Sequence, residues 1–345
     1  MSSSKTISTL IVEDSALMRI LLSDILKSDP DIELLGTAKN GKEGVEKARL
    51  LQPDVIISDM IMPDFDGVYL VENVMKEIPT PVILLSSLEK NDGLVFDALQ
   101  KGAFDFLDKP KDDITNSIKA KNYPLTALVK AAAESKINKI EVKENKNSHA
   151  FHGSSAYAAI VIGASTGGPG AIENLLKQLP NNLILPVIIA QHMPDSFIQS
   201  FAMRLDVLTE LKVKVAESGE EIRPGYIYLA PGHANMRLRK NPNTGGVVVH
   251  FTDKVYTEFN NPSIDCLMES AAEVYGERMI GLILTGMGKD GTAGLKKVKE
   301  RGGTTIAQDE NTSVVYGMPK SAFDSGATDR LVPLDQMGGY LVSCL

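Results

Sequence analysis

The sequence predicts two α/β domains in one chain, each built on a mainly parallel sheet. Three observations lead there. Apolar runs of strand length recur in two blocks, each run followed by an amphipathic stretch. A segment rich in Lys, Asn, Glu and Ser, from about Glu134 to Ser155, separates the blocks and has the composition of a solvated linker. A chain of 345 residues with 43% hydrophobic content suits two cores of ordinary size. The expected boundaries are 6–124 for the first domain, 125–156 for the linker and 157–345 for the second domain.

In the first block the strands read Ser8 to Val12, Ile32 to Gly36, Val55 to Ser58, Val82 to Ser86 and Ala103 to Leu107. Continuous apolar strands separated by helical segments indicate a five-stranded parallel (βα)5 sheet covered on both faces. In the second block Ala158 to Gly163, Pro186 to Gln191, Met279 to Thr285 and Thr304 to Ala307 read as strands, with helices beginning near Pro169, Asp195, Ser263 and Gly291. Lys212 to Phe251 alternates instead, with Pro224-Gly225, Pro231-Gly232 and Gly245-Gly246 as turns. The expectation is a doubly wound, mainly parallel α/β domain with an antiparallel hairpin inserted in its sheet.

Composition removes several classes of function. The net charge of −8, with no Lys/Arg cluster, argues against nucleic-acid binding. Leu10-Ile11-Val12 is cut short by Glu13-Asp14, so neither a signal peptide nor a membrane-inserting segment is expected, and the chain reads as cytoplasmic. Cys266 and Cys344 lack CxxC or metal-ligand spacing and are expected to be reduced.

Chemistry in an open parallel sheet collects at the carboxyl ends of the strands. Glu13-Asp14 closes the first strand, Asp59 the third and Ser86 the fourth, and Lys109-Pro110 follows the fifth. Singly, each acidic residue could merely cap the next helix. Together, Glu13, Asp14 and Asp59 make an all-oxygen set suited to Mg²⁺, with Asp59 as nucleophile toward a phosphoryl group and Lys109 on its oxygens. The string Ile56-Ile57-Ser58-Asp59-Met60-Ile61-Met62-Pro63-Asp64-Phe65-Asp66-Gly67, with Lys109-Pro110, resembles the receiver domain of bacterial response regulators. That resemblance implies phosphorylation at Asp59, Mg²⁺ on Glu13, Asp14 and Asp59, Ser86 and Phe106 as hydroxyl and aromatic switch residues, and a cis peptide before Pro110. Glu13 stands where the family often has aspartate.

In the second block a strand runs into Gly163-Ala164-Ser165-Thr166-Gly167-Gly168-Pro169-Gly170 and then a helix. G-x-S-x-G between strand and helix is the context of an exposed nucleophilic serine beside backbone N–H groups. A phosphate cradle and a structural turn capped by Ser165 are the rival readings, although G-x-G-x-x-G spacing and a Walker lysine are both missing. Of the histidines His149, His152, His192, His233 and His250, His192 alone follows a clean buried strand and precedes a helix. Asp290 lies in the loop after Met279 to Thr285, where by itself it could cap a helix from Thr292. Three such residues at one sheet edge make a triad the better account, with Ser165 attacking an acyl carbon, His192 moving the proton and Asp290 orienting the imidazole. Backbone N–H groups near Thr166 or Met287 are candidate oxyanion donors.

Gly163 to Gly168, Gln191-His192-Met193-Pro194, Pro262-Ser263-Ile264-Asp265, Thr285 to Gly291, Ala307-Gln308 and Val315-Tyr316-Gly317-Met318-Pro319 resemble, in order, the protein-glutamate methylesterase/glutamine deamidase of bacterial chemotaxis, the CheB family. The resemblance covers nearly the whole chain. It implies a phosphorylation-activated serine hydrolase that demethylates glutamate methyl esters, releasing methanol, and deamidates glutamines on methyl-accepting chemoreceptors, with a chemotaxis histidine kinase as phosphodonor. No cofactor is expected for the esterase reaction. Before Pro262 the family often carries Arg and His, whereas this chain has Phe259-Asn260-Asn261. A switch in front of a hydrolase suggests that the unphosphorylated receiver covers the Ser165 edge and that Glu134 to Ser155 is the hinge.

Overall fold

A computed structural model describes residues 6–86, 92–109, 124–135, 155–256 and 261–345. His149, His152, Pro110 with its expected cis peptide, Phe259, Asn260 and most of the expected linker lie outside the described residues. The chain divides into two units, Met1–Lys139 and Ile140–Leu345.

The first unit alternates strands and helices as its apolar runs require: β1 (Ile7–Val12), α1 (Ala16–Lys27), β2 (Ile32–Ala38), α2 (Gly41–Leu51), β3 (Val55–Asp59), α3 (Gly67–Glu77), β4 (Val82–Ser86), α4 (Asp92–Gln100) and β5 (Asp105–Asp108). The strands form one parallel sheet in the order β2-β1-β3-β4-β5. β3 and β4 are buried along their whole length because helices cover both faces. Helix starts are set by short polar caps. Ser15 Oγ accepts from Met18 N, Asn40 Oδ1 from Glu43 N and Asp66 Oδ1 from Tyr69 N. The order reverses between β1 and β3, so the strand ends bearing Glu13, Asp14 and Asp59 flank the switch point of the sheet.

Leu125–Glu134, inside the stretch expected as linker, is a helix (α5) that packs on α1, β3 and β4. Leu125, Leu128, Val129 and Ala132 are its buried residues, the i, i+3, i+4, i+7 spacing of an amphipathic helix.

The second unit contains β6 (Ala159–Ala164), α6 (Gly168–Gln178), β7 (Val187–Gln191), α7 (Asp195–Leu208), β8 (Lys212–Val215), β9 (Tyr226–Leu229), β10 (Asn235–Lys240), β11 (Val247–Thr252), α8 (Ile264–Tyr275), β12 (Met279–Ile283), α9 (Thr292–Glu300), β13 (Thr304–Gln308), α10 (Met318–Asp324), β14 (Arg330–Val332) and α11 (Leu334–Cys344). Seven strands form a parallel sheet in the order β14-β13-β12-β6-β7-β9-β8. The chain leaves central β6 toward β7, β9 and β8, then returns to the other side for β12, β13 and β14. The loops after β6, β7 and β12 therefore meet at the switch point.

The expected hairpin within this sheet is corrected in its placement. β8 and β9 are parallel edge strands of the sheet, whereas β10 and β11 form a separate antiparallel pair that packs on α8. The segment between β8 and β9 runs along β11, with Gly219 N donating to Val249 O at 2.9 Å and Ile222 N to Val247 O at 2.8 Å. Alternation with period two reports one covered face; it does not say which neighbour covers it. Among the described residues no helix is long and apolar enough to cross a membrane.

Candidate active site and acidic pocket

β6 and β7 pair in parallel with Ala164 opposite Gln191, so Ser165 and His192 leave the sheet side by side. His192 N donates to Ala164 O at 3.0 Å, which ties the two exits together. Gly167, at φ +73°, takes the left-handed turn that lets α6 start directly behind the serine. Ser165 Oγ lies 3.1 Å from His192 Nδ1, and His192 Nε2 lies 2.8 Å from Asp290 Oδ2. A carboxylate only accepts, so Nε2 carries the proton and Nδ1 is left as the acceptor facing the serine hydroxyl. The ring is turned round relative to the chymotrypsin-type template, in which Nε2 faces the serine. Either nitrogen is competent as a base when the other is held by a carboxylate.

Asp290 is saturated with donors. Oδ2 also accepts from Ile264 N at 2.7 Å, and Oδ1 accepts from Asp265 N and Gly291 N at 3.0 Å each and from Ser263 Oγ at 3.3 Å. The carboxylate thus sits on the N-terminus of α8, whose backbone N–H groups and dipole favour negative charge. Burial by itself would raise this carboxyl; the hydrogen bond and charge of His192 and the backbone donors outweigh it, leaving it below the usual carboxylate range. Its neighbour Asp265 goes the other way. Burial, added to the charge of Asp290 and against a hydrogen bond from Gly294 N, pushes Asp265 up to about 7.

Both candidate oxyanion positions adjoin the serine. Thr166 is buried and its carbonyl accepts from Thr285 Oγ1 at 3.0 Å, while Met287 follows Gly286, whose backbone abuts Ser165. Thr285 is itself held, its N donating to Gln308 Oε1 at 2.8 Å and its Oγ1 accepting from Val315 N at 2.9 Å. From the sequence, Gln308 and Asp265 stand out only within the matching strings, Ser263 only there and as a helix start, and Thr285 not as a support. Their work is to hold backbone, which residue type and spacing do not announce.

In the first unit, oxygens of Glu13, Asp14 and Asp59 lie within 4.8 Å of one another. Lys109 Nζ reaches Asp59 Oδ2 at 2.6 Å and Glu13 Oε2 at 2.9 Å. Glu13 Oε1 also accepts from Ser15 N at 3.1 Å and Asp59 Oδ1 from Ile61 N at 3.2 Å. Burial and the nearby Asp59 charge push Glu13 up to about 7 despite Lys109, and burial likewise raises Asp59. Three hard oxygen donors carrying more negative charge than one lysine neutralises fit Mg²⁺. Ser86 ends β4 and is buried, and Phe106 is buried in β5.

Residues 160–341 match the model of the CheB methylesterase family, and residues 9–119 match that of the response regulator receiver domain. The chain belongs to the CheB methylesterase family. A protein-glutamate methylesterase/protein-glutamine glutaminase of Nitrosomonas europaea is 41% identical over 350 residues, covering 99% of this chain and 97% of that protein. A Thermotoga maritima protein of the same description is 42% identical over 341 residues, covering 95% of this chain and 96% of its own. The crystal structure of the Thermotoga maritima CheB methylesterase catalytic domain matches with a TM-score of 0.53 and 42% identity, covering 55% of this chain and 99% of that one. The family resemblance drawn from the motifs is borne out, as is the pairing of a receiver with a methylesterase domain.

Proposed function

We propose that this chain is a phosphorylation-activated protein-glutamate methylesterase and protein-glutamine glutaminase acting on methyl-accepting chemoreceptors. The observation that carries it is the hydrogen-bonded series Ser165 Oγ, His192 and Asp290, at 3.1 and 2.8 Å, in a chain that belongs to this family. Ser165 Oγ attacks the γ-carbonyl carbon of the glutamyl ester as Nδ1 of His192 takes the hydroxyl proton. The oxyanion is received by backbone N–H groups of Thr166 and Met287. His192 returns the proton to the leaving methoxide, releasing methanol and leaving a glutamyl-serine. Water then attacks that ester with Nδ1 again as base, freeing the glutamate. For a glutamine the leaving group is ammonia, and the same residues serve.

In the receiver, Glu13, Asp14 and Asp59 would hold Mg²⁺, which when bound offsets the charge of the pocket and of an incoming phosphoryl group. Asp59 accepts the phosphoryl group from a chemotaxis histidine kinase, Lys109 binds its oxygens, and Ser86 and Phe106 respond to it. Phosphorylation of Asp59 raises the hydrolase activity of the chain. The protein works in the cytoplasm, where its kinase and the receptor substrate segments meet. The test is methanol release from methylated receptor by the full chain, with and without phosphodonor, against Ser165→Ala. Release that survives Ser165→Ala would overturn the reading.

A further inference from the structure

Gln191 ends β7 directly before His192 and is 2% exposed. Its Nε2 donates to Ser165 O at 3.0 Å and to His192 O at 3.0 Å. A carboxamide has two N–H protons, and both are spent on the backbones of the two residues that exchange a proton. Because both partners are carbonyls, the NH2 group must face them, which fixes which way the amide points. That leaves Oε1 buried without a hydrogen-bond partner among the described residues. It lies against the first residue of α6, where a Cβ on Gly168 would come within 2.0 Å of it. Gly168 is therefore the residue that makes room for the carboxamide. A buried acceptor left unpaired works against stability, and such groups persist where a site needs the geometry they enforce.

We infer that Gln191 is a positioning residue for the hydrolase reaction: it laces the nucleophile's peptide to the base's peptide and so sets the Ser165 Oγ to His192 Nδ1 separation. Strand register brings the two loops abreast, and the bond from His192 N to Ala164 O holds their roots. On the β7 side the Gln191 amide reaches past the strand ends to Ser165 itself, while Ser165 N donates to Thr285 O at 3.0 Å on the β12 side. Ser165 O receives a second donor, Gly168 N at 2.7 Å, so the serine peptide is held from α6 and from β7 at once. The inference rests on the proposed roles of Ser165 and His192.

The test uses the full chain and turnover of a small activated ester, p-nitrophenyl acetate. Rates of variants that keep Ser165 are expressed per active site counted by fluorophosphonate titration, so that an unfolded fraction does not enter, and that of Ser165→Ala per folded protein counted by its circular dichroism melting amplitude. Gln191→Met keeps length and volume but has no donors. Its kcat is expected to fall about 10-fold or more with KM unchanged, since misplacement of a catalytic group by about 1 Å costs on the order of 10²-fold. A kcat within about two-fold of native overturns the inference, being far below what such misplacement costs. Thr305→Val separates positioning from general loosening, because Thr305 is buried in the same sheet and its Oγ1 bonds Asp329 Oδ2 at 2.8 Å, away from the site. It should keep native kcat; a loss equal to that of Gln191→Met overturns the inference. Should Gln191→Met fail to fold, Gln191→Glu retains the shape but turns an acceptor toward two carbonyls, and must show the same loss of kcat. Ser165→Ala distinguishes the two levels. If it still turns over ester, the nucleophile assignment fails; if it is inactive while Gln191→Met is native-like, only the role of Gln191 fails.

Discussion

The acidic pocket of the first unit and the triad of the second occupy the same place in two parallel sheets, the carboxyl ends at the switch point, yet they treat their carboxylates in opposite ways. Asp290 receives four donors besides His192, three of them backbone N–H groups, and its carboxyl stays low. Glu13 and Asp59 share one lysine and one backbone N–H each, and both are raised. A saturated carboxylate is a fixed charge that orients a neighbour. Under-satisfied ones are held ready for something that arrives, a cation or a phosphoryl group. On the proposed roles, the difference separates a permanent catalytic element from a switch.

The sharpest way to break the comparison is to remove the proposed nucleophile. Ser165→Ala should lower methanol release by about 10⁴-fold or more, and adding His192→Ala should cost little further because the pair acts as a unit. Additive losses would show that the two residues act independently. Next, Asp290→Asn should lower kcat by roughly 10³ to 10⁴-fold through loss of the imidazole's orienting charge, and should destabilise the second unit by about 1–2 kcal/mol through the weakened cap of α8. Steady-state kinetics and denaturant unfolding of the same sample check both halves.

Chelation of divalent cations, or Asp59→Asn, should abolish activation by a phosphodonor while leaving basal hydrolysis of p-nitrophenyl acetate intact. A basal rate that falls on chelation would remove the distinction between the regions. A finer test concerns pH. Asp265 is raised to about 7 from an ordinary value of 3.8, so the native state holds its proton more tightly than the unfolded chain. Its contribution to stability is full below about pH 4 and is lost as pH rises to about 7, opposite in sign to the lowered Asp290, whose contribution is lost as pH falls. Asp265→Asn should therefore flatten the fall in the second unit's melting temperature across that window, and an unchanged slope would count against a proton held by Asp265. The smallest effect is expected on α5. Lys130 there meets Asp29 at 2.9 Å and Asp31 at 2.8 Å at the solvent-exposed surface, so Lys130→Ala should move the first unit's urea unfolding midpoint only slightly.

Much of the fold was legible because burial on both faces writes long apolar runs. The nine strands read from such runs, β1 to β7 with β12 and β13, all lie in parallel sheets, although Glu33 interrupts the run of β2 and Asp105 that of β5. The last elements of the second unit were not read. β14 has three residues, too few for a period, and α10 only seven, whereas α11 carries a helical i, i+3, i+7 spacing in Leu334, Met337 and Leu341. The site was legible as residue types at strand ends, since each of Ser165, His192, Asp290, Glu13, Asp14, Asp59 and Lys109 follows an apolar run.

By itself, the sequence determined which residues stand at the ends of the strands and which chemistry they carry, because hydrophobic period and residue type are local. Only the tertiary structure decided which nitrogen of His192 faces Ser165, how many donors Asp290 receives, where the β10–β11 pair packs, and that Gln191 bridges the two loops. Those depend on strand order and register, which bring together groups 26 to 119 residues apart in the chain, such as Gln191 with Ser165 and Thr285 with Thr166. A hydrogen bond is made or lost within about half an ångström, and no local pattern carries that distance.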